Sequence, residues 1–491
     1  MTDNDPRRAP EVSGDRPGRV SVGDAIVLGL SGSGPAQTLA VSLAALVSAC
    51  AYGGIVPLLL CFVPMLGIAI GYQRLNRWDA NSGATFAWVA RVFHPFLGFL
   101  CGWMILLYYT LGTSSLTIPA GTYTLALLAP SHVNDHVAVA ITGGAWNVFV
   151  AALALKGIRA AARFAWLIVG FQYVVLFTAA VAGIATLLEG HAATHFSWHW
   201  FSLQGMGGWR GLMSGILIAC FMYSGWDAAV YVNEESRERI ESPGRAAIVS
   251  VVILALLYVL AVLGFQAVLS PAQLEGHAGD ALAVIGAQLL PGPGSTIMSL
   301  VVLTGALATL EAAVISAARV GSAMSRERVM PAVLRRVDPR TGNPWAATLV
   351  MGLVNLVLLA LTLATSSIAR ALGNVVSSLG LIAVLFYGLT AAAAVWQGRG
   401  TLARSAADLI AGGVLPGFGV LFMAWVLAES VRSGAASTIV VVYGMGSVAL
   451  GAVIAFVIHR MGRVEFFRRG ADVTATALHN SRDARREHEL S

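Results

Sequence analysis

The sequence predicts an all-α polytopic membrane protein with twelve transmembrane helices, and three observations carry that prediction. Of the 491 residues, 57% are hydrophobic and only 11% charged, with a mean hydropathy of +0.74, whereas soluble domains carry about 25% charged residues. Apolar runs separated by short polar gaps each hold the roughly 20 residues that a bilayer-spanning helix needs. Basic residues fall in alternate gaps, as the positive-inside rule requires. A cytosolic globule, a disordered regulator and a collagen-like rod are excluded, the first because too few polar side chains exist to cover its surface.

Bounded by Gly, Pro or charge, the runs lie at 22–49, 53–73, 95–129, 135–155, 160–188, 209–233, 244–269, 295–323, 345–365, 371–396, 407–431 and 436–459. The third is longer than the hydrocarbon is thick and must tilt or project beyond it. The net charge of +6 does not point to nucleic acid, because the basic residues, all arginine except Lys156, sit mostly in gaps between runs. With the N-terminus inside, 28 of the 31 basic residues fall on one face, and Arg210, Arg370 and Arg432 alone fall on the other. Both termini are therefore read as cytoplasmic and the chain as a multi-pass protein of the cytoplasmic membrane. The first 22 residues are polar, with no cleavable signal peptide. The Arg-rich tail beyond Arg460 is a topological anchor or a segment lying on the anionic inner leaflet. Cys50, Cys61, Cys101 and Cys220 lie in apolar stretches without metal or disulfide spacing and read as small buried hydrophobes.

Two runs are punctuated near mid-membrane. In the first, Leu30-Ser31-Gly32-Ser33-Gly34-Pro35-Ala36-Gln37-Thr38 sets two glycines and a proline inside an apolar stretch. Pro35 has no N–H and the glycines accept non-helical dihedrals, so the helix unwinds here. Such backbone is tolerated at membrane depth where it is buried in protein or lines a cavity. A half-helix starting at Pro35 aims free amides and a positive dipole end at the midplane, and a carboxylate is its expected guest. A kinked helix using small residues for close packing is the competing reading. The sixth run repeats the interruption at Cys220-Phe221-Met222-Tyr223-Ser224-Gly225-Trp226-Asp227. Interrupted helices at corresponding positions of two halves point to a transporter site between inverted repeats, since five runs per half give the halves opposite orientations.

Loop motifs accompany the breaks. After the second run come Asn81-Ser82-Gly83-Ala84-Thr85-Phe86-Ala87-Trp88, then Pro95-Phe96-Leu97-Gly98-Phe99 and Gly102-Trp103; after the sixth, Asn233-Glu234-Glu235 and Pro243; at the end of the eighth, Arg319, Met324-Ser325-Arg326-Glu327 and Pro331. In this order, over roughly residues 22–400, they resemble the amino acid-polyamine-organocation (APC) superfamily of secondary transporters. The resemblance implies a leucine-transporter-like fold: a first five-helix repeat at 22–190, an inverted second at 209–397, two further helices at 406–461, and cytoplasmic tails at 1–21 and 462–491. It implies that the amides of Gly32, Ser33 and Gly34, with Ser31 beside them, receive a substrate carboxylate. Carbonyls around Tyr223, Ser224 and Gly225 would meet an amino group, and Phe221, or alternatively Tyr223 or Trp226, would close over the bound molecule. Core packing is the competing role for each aromatic. Several proton-coupled members carry a lysine at the position of Gln172. With none here, sodium held by segment 1 carbonyls and the hydroxyl of Thr309 or Ser316 is a candidate, and proton-driven, exchange or uncoupled transport stay open.

An ionised side chain at bilayer depth costs at least about 2.5 kcal/mol, so Asp227 and Glu311 need a reason to be there. Each is a candidate proton carrier or partner for a substrate ammonium, and Asp227 is alternatively a structural acid bonding the unwound backbone. Asp24, near the mouth of segment 1, reads as interfacial. His195 and His199 sit in an aromatic outer loop and not in an intramembrane metal motif. The sequence therefore predicts a secondary active transporter of an amino acid or related amine, with a polyamine or organic-amine permease as the alternative. Its expected partners are the small-molecule substrate and the lipid bilayer, with no nucleic acid, no metal, no enzymatic activity and no cofactor beyond a coupling H+ or Na+.

Overall fold

The protein is seen in a computed structural model that describes residues 20–277, 280–339, 341–362, 368–433, 438–460 and 465–467, with the backbone alone for 114, 115, 362 and 368–377. Most of the two tails, including Arg7, Arg8, Arg16, Arg19 and everything beyond Phe467, therefore lies outside the described residues. The helices in chain order are α1 (Val22–Ser33), α2 (Pro35–Cys50), α3 (Ile55–Trp78), α4 (Thr85–Val92), α5 (Pro95–Leu128), α6 (His136–Leu155), α7 (Ile158–Leu188), α8 (Gly208–Met222) and α9 (Ser242–Val268). They continue as α10 (Pro271–Gly276), α11 (Ala281–Leu289), α12 (Gly294–Arg326), α13 (Trp345–Thr362), α14 (Ile368–Gly398), α15 (Ala406–Leu409), α16 (Leu415–Arg432) and α17 (Thr438–Arg460). Among the described residues there is no strand; an isolated bridge joins Val20 to Ser236.

Ten stretches of the described residues are long and apolar enough to cross a membrane. One of them, Val22–Trp78, holds two of the predicted runs, and the shorter apolar helix Trp345–Leu361 covers most of the ninth. The third run forms α5, a helix of 34 residues, about 51 Å long at 1.5 Å per residue, which overshoots a hydrocarbon core of about 30 Å. The first and sixth runs are not single helices: α1 gives way to α2 at Gly34, and α8 stops at Met222, followed by turns and the short 3-10 segments Trp226–Ala229 and Asn233–Glu235.

Two features fall outside the predicted runs. The loop motif after the second run contains α4, which begins after Ala84 at φ 40°. The gap after the seventh contains α10 and α11. Ser270 caps α10 through a reciprocal capping box with Gln273, so that start was written in the sequence as Ser-Pro-x-Gln.

Small residues let the long helices approach closely. Cβ atoms placed on Gly183 of α7 and Gly264 of α9 would strike the opposite backbone, the packing expected where apolar lipid leaves contact between helices as the main attraction. Larger apolar side chains, among them Trp88, Phe86, Phe99 and Tyr258, are buried in one continuous core. Phe466, beyond α17, stacks on Phe86 of α4 at 5.2 Å, and Phe467 contacts Phe99 of α5 at 6.2 Å.

The three loop motifs meet at one end of the bundle. Arg319 donates to both oxygens of Glu235 at 2.8 Å, and Arg326 bonds Glu234 at 2.8 Å and the Ser82 hydroxyl at 3.0 Å. Glu234 also accepts the Ser82 amide at 2.9 Å. Asn233 donates to the Asn76 side chain at 2.9 Å and the Asn81 carbonyl at 3.0 Å. Val20 pairs with the same stretch, donating to Glu235 at 3.1 Å and accepting from Arg237 at 2.9 Å. Nearby, Arg77 bonds both Glu241 oxygens at 2.8 Å and holds that carboxyl below its ordinary range. The Arg319 side chain is only 6% exposed, so Arg319→Ala leaves Glu235 with an uncompensated charge and lowers stability by about 3 kcal/mol. Thermal unfolding of the purified protein checks this: the single variant unfolds well below wild type, and Arg319→Ala/Glu235→Ala recovers part of the loss.

Candidate functional site

The site is built on the two breaks. At the first, the αL conformation of Gly34, φ 47° and ψ 64°, turns its N–H back onto the Leu30 and Ser31 carbonyls at 3.1 and 3.0 Å, closing α1. Pro35 then opens α2 at its first position, where a missing N–H costs nothing. Thr38 donates its N–H to the Gly34 carbonyl at 2.8 Å and its hydroxyl to the Ser33 carbonyl at 2.7 Å. Helix geometry leaves the amides of Ala36 and Gln37 without an intrahelical acceptor. The free amides at this break therefore lie one turn later than the Gly32-Ser33-Gly34 stretch singled out by the sequence.

At the second break Gly225 adopts φ 96° and its N–H donates to the Tyr387 hydroxyl at 3.0 Å. The two breaks touch each other. A Cβ on Gly225 would collide with the Gly32 carbonyl, and one on Gly32 with the Gly225 carbonyl. A Cβ on Gly34 would collide with the Thr309 hydroxyl of α12.

Around this junction lies a narrow, partly open cavity of ≈ 50 Å³, tighter than the about 300–1,000 Å³ of open small-molecule sites. Of the residues proposed from sequence, Gly32, Ser33, Phe221, Ser224 and Thr309 line it. Ser31, Gly34, Tyr223, Gly225 and Trp226 do not. Gly34 and Gly225 shape the backbone instead, and Ser31 is buried with its hydroxyl unbonded. Tyr223 packs edge-on against Tyr258 at 5.9 Å, and Trp226 stacks on Tyr387 at 5.2 Å, both fully buried. Sequence reasoning missed Gln37, Thr38, Tyr108 and Tyr109, which supply much of the polar lining. Gln37 and Thr38 close the punctuated motif itself, and a Tyr-Tyr pair inside an apolar run was the available signal for α5.

No charged side chain lines the cavity. Polar groups are the hydroxyls of Ser33, Thr38, Tyr108, Tyr109, Ser224 and Thr309 and the amide of Gln37, whose Oε1 is buried and unbonded. The Tyr108 and Ser224 hydroxyls bond each other at 2.5 Å, linking α5 to the second break.

Asp227 sits just behind this wall, fully buried. Its Oδ1 accepts from Tyr387 at 2.7 Å and Tyr109 at 3.1 Å, and its Oδ2 accepts from Tyr231 at 2.7 Å. Tyr109 also lines the cavity, so one phenol separates the acid from the cavity.

Glu311 is placed differently. It is fully buried on α12, and among the described residues neither carboxyl oxygen has a partner. Thr309 and Ala313, two residues either side, line the cavity, so at 100° per residue Glu311 points away from it. Gln172 of α7 is fully buried with both amide atoms unbonded. Its Oε1 and the Gln37 backbone N lie 3.2 and 3.1 Å from the point where a Gly305 Cβ would stand, so Gln172 and the start of α2 both pack against Gly305 of α12. Ser316 is buried on α12. Among the described residues no three His, Cys, Asp or Glu side chains are grouped to hold a metal ion.

Residues 20–402 match the amino acid permease family. The chain belongs to that family. The permease is similar to the human large neutral amino acids transporter small subunit 2, with 23% identity over 340 residues, a match taking in 67% of this chain and 60% of that one. It thus spans about three fifths of that relative's length. It is similar to an uncharacterized transporter of Mycobacterium tuberculosis, at 28% identity over 401 residues, 80% of this chain and 83% of the relative. The methylthioribose transporter of Bacillus subtilis is 24% identical over 304 residues, 58% of this chain and 62% of that one. The loop motifs thus pointed to the family the chain belongs to, and the ten apolar stretches among the described residues fit a multi-pass membrane protein.

Proposed function

We propose that this permease carries a neutral, zwitterionic amino acid across the cytoplasmic membrane by alternating access, and that the junction of the two breaks is its binding site. The observation that carries the reading is a cavity without a charged side chain, bounded by helix ends of both polarities. The start of α2 presents the unpaired amides of Ala36 and Gln37 with a positive dipole end, suited to a carboxylate; the ends of α1 and α8 present carbonyls with negative dipole ends, suited to an ammonium. Gly32, Ser33 and Ser224 lie between these poles, and Phe221 covers the molecule. Val41, Leu116 and Leu379 receive an apolar side chain. A polyamine has no carboxylate for the α2 end and finds no acid in the lining.

The same reading takes the two apolar halves, 22–190 and 209–397, as five-helix inverted repeats followed by two helices at 406–461, twelve spans in all, with both termini in the cytoplasm. The end at which Arg319, Arg326, Glu234 and Glu235 meet is then the cytoplasmic side. Coupling is assigned to H+ through Glu311. Its carboxyl has no bonding partner among the described residues, and an acid placed at bilayer depth marks a functional position by default; movement of α12 would open it to water. Asp227, bonded by three phenols, braces the second break. Gln172 cannot titrate and so cannot replace a lysine ammonium.

Uptake of a labelled neutral L-amino acid into proteoliposomes tests the reading. Apolar neutral amino acids compete fully, whereas arginine, putrescine and the decarboxylated amine of the substrate compete at least tenfold more weakly. Equal competition by putrescine overturns it.

A further inference from the structure

The loop that closes α12 and leads to α13 carries arginines that the ion-pair cluster does not use. Arg319 and Arg326 are bonded to Glu235 and Glu234. Arg328 and Arg335 are exposed, and among the described residues neither has a carboxylate partner. Both line one hollow, together with Ser325, Met330 and Ala332.

The backbone brings them together. Past Arg326 the chain turns back on α12, Arg328 donating its N–H to Ser325 and Val329 to Met324, both at 3.1 Å. This puts Arg328 at φ 63°, a left-handed position where glycine is the usual occupant. The Ser325 hydroxyl then holds the Pro331 carbonyl at 2.8 Å, and the 3-10 turn Ala332–Arg335 returns Arg335 to the same hollow. The acid Asp338, downstream, already accepts from Thr341 at 3.0 Å. Two like charges therefore border one hollow whose lining, among the described residues, holds no acid, and Arg328 stands at a backbone position that glycine would suit better.

Guanidinium forks match the oxygens of a phosphate group, and a helix end on the arginine-rich side of a membrane protein stands at headgroup level, where anionic lipid is concentrated. We infer that the hollow bordered by Arg328 and Arg335 is a binding site for a phosphate-bearing anion, supplied by an anionic phospholipid headgroup or by free phosphate. Its occupant ties the end of α12 to the start of the following loop, two residues from the Arg326 to Glu234 bond. The site is independent of the substrate cavity, and its test does not use transport.

Thermal unfolding of the full chain in neutral detergent, with added phosphatidylglycerol, phosphatidylcholine or inorganic phosphate, decides the matter. Phosphatidylglycerol raises the unfolding temperature by several degrees more than phosphatidylcholine. Arg328→Gln/Arg335→Gln reduces that difference at least threefold and weakens binding of labelled phosphatidylglycerol at least tenfold. Arg328→Gly, which keeps the left-handed turn, shows part of the same loss, and Arg336→Gln, outside the hollow, shows none. If inorganic phosphate alone reproduces the shift, the occupant is a soluble phosphate and the site stands. Equal responses to the two lipids with no response to phosphate, or undiminished binding in both the double variant and Arg328→Gly, overturn it.

Discussion

Gly225→Ala eliminates measurable substrate binding and reduces uptake by at least a hundredfold, while the protein still reaches the membrane. The added methyl is small, but Gly225 holds φ 96° and its missing Cβ is the space occupied by the Gly32 carbonyl. A side chain there must push the two breaks apart or force the backbone out of the left-handed region, and both movements displace the helix ends that bound the cavity. The N–H of Gly225 also donates to Tyr387, so a shift disturbs the support of Asp227. Gly32→Ala meets the reciprocal collision and behaves alike. A conservative control, Ala228→Ser, lies nearby without the positive φ and retains most activity. Binding at wild-type affinity in Gly225→Ala would remove the backbone junction from the site.

Glu311→Gln has the second large effect. The substitution preserves the shape of the neutral acid while abolishing its titration, so substrate still binds but no longer moves with a proton. Accumulation driven by an imposed pH gradient falls at least tenfold, substrate-induced acidification disappears, and the remaining exchange of internal for external substrate becomes insensitive to pH. Asp227→Asn gives a different signature, because its carboxyl accepts from Tyr109, Tyr231 and Tyr387 and an amide accepts from fewer of them. Stability and binding fall together, and the pH profile of the residual uptake keeps its shape. If Glu311→Gln leaves both rate and pH dependence unchanged, Glu311 does not carry the coupling proton.

Local chemistry made the breaks legible. Proline without a donor and glycine with free dihedrals mark Gly34-Pro35 and Gly225 in any apolar run, and both positions do interrupt their helices. The loop motifs were legible as separate segments, but their convergence was not, since the bonds joining Ser82, Glu234 and Arg326 cross up to 244 residues of chain. The same limit hid the surroundings of Asp227. Tyr231 is one helical turn away and visible, whereas Tyr109 and Tyr387 reach it only through the packing of α5 and α14. The unpaired amides are displaced from Gly34 because its αL turn satisfies its own N–H inside α1, an event of backbone geometry that residue types do not specify. Gln37 and Tyr108 escaped notice for a related reason: which face of a wholly apolar helix meets a cavity depends on its neighbours.

Equilibrium binding of a labelled apolar L-amino acid to the purified permease, competed with its methyl ester and with its decarboxylated amine, tests most directly whether paired helix ends form the site. Saturable binding at one site per chain is expected, with both competitors at least tenfold weaker, because each lacks the carboxylate that the Ala36 and Gln37 amides receive. Binding of the amine as tight as that of the amino acid would contradict it.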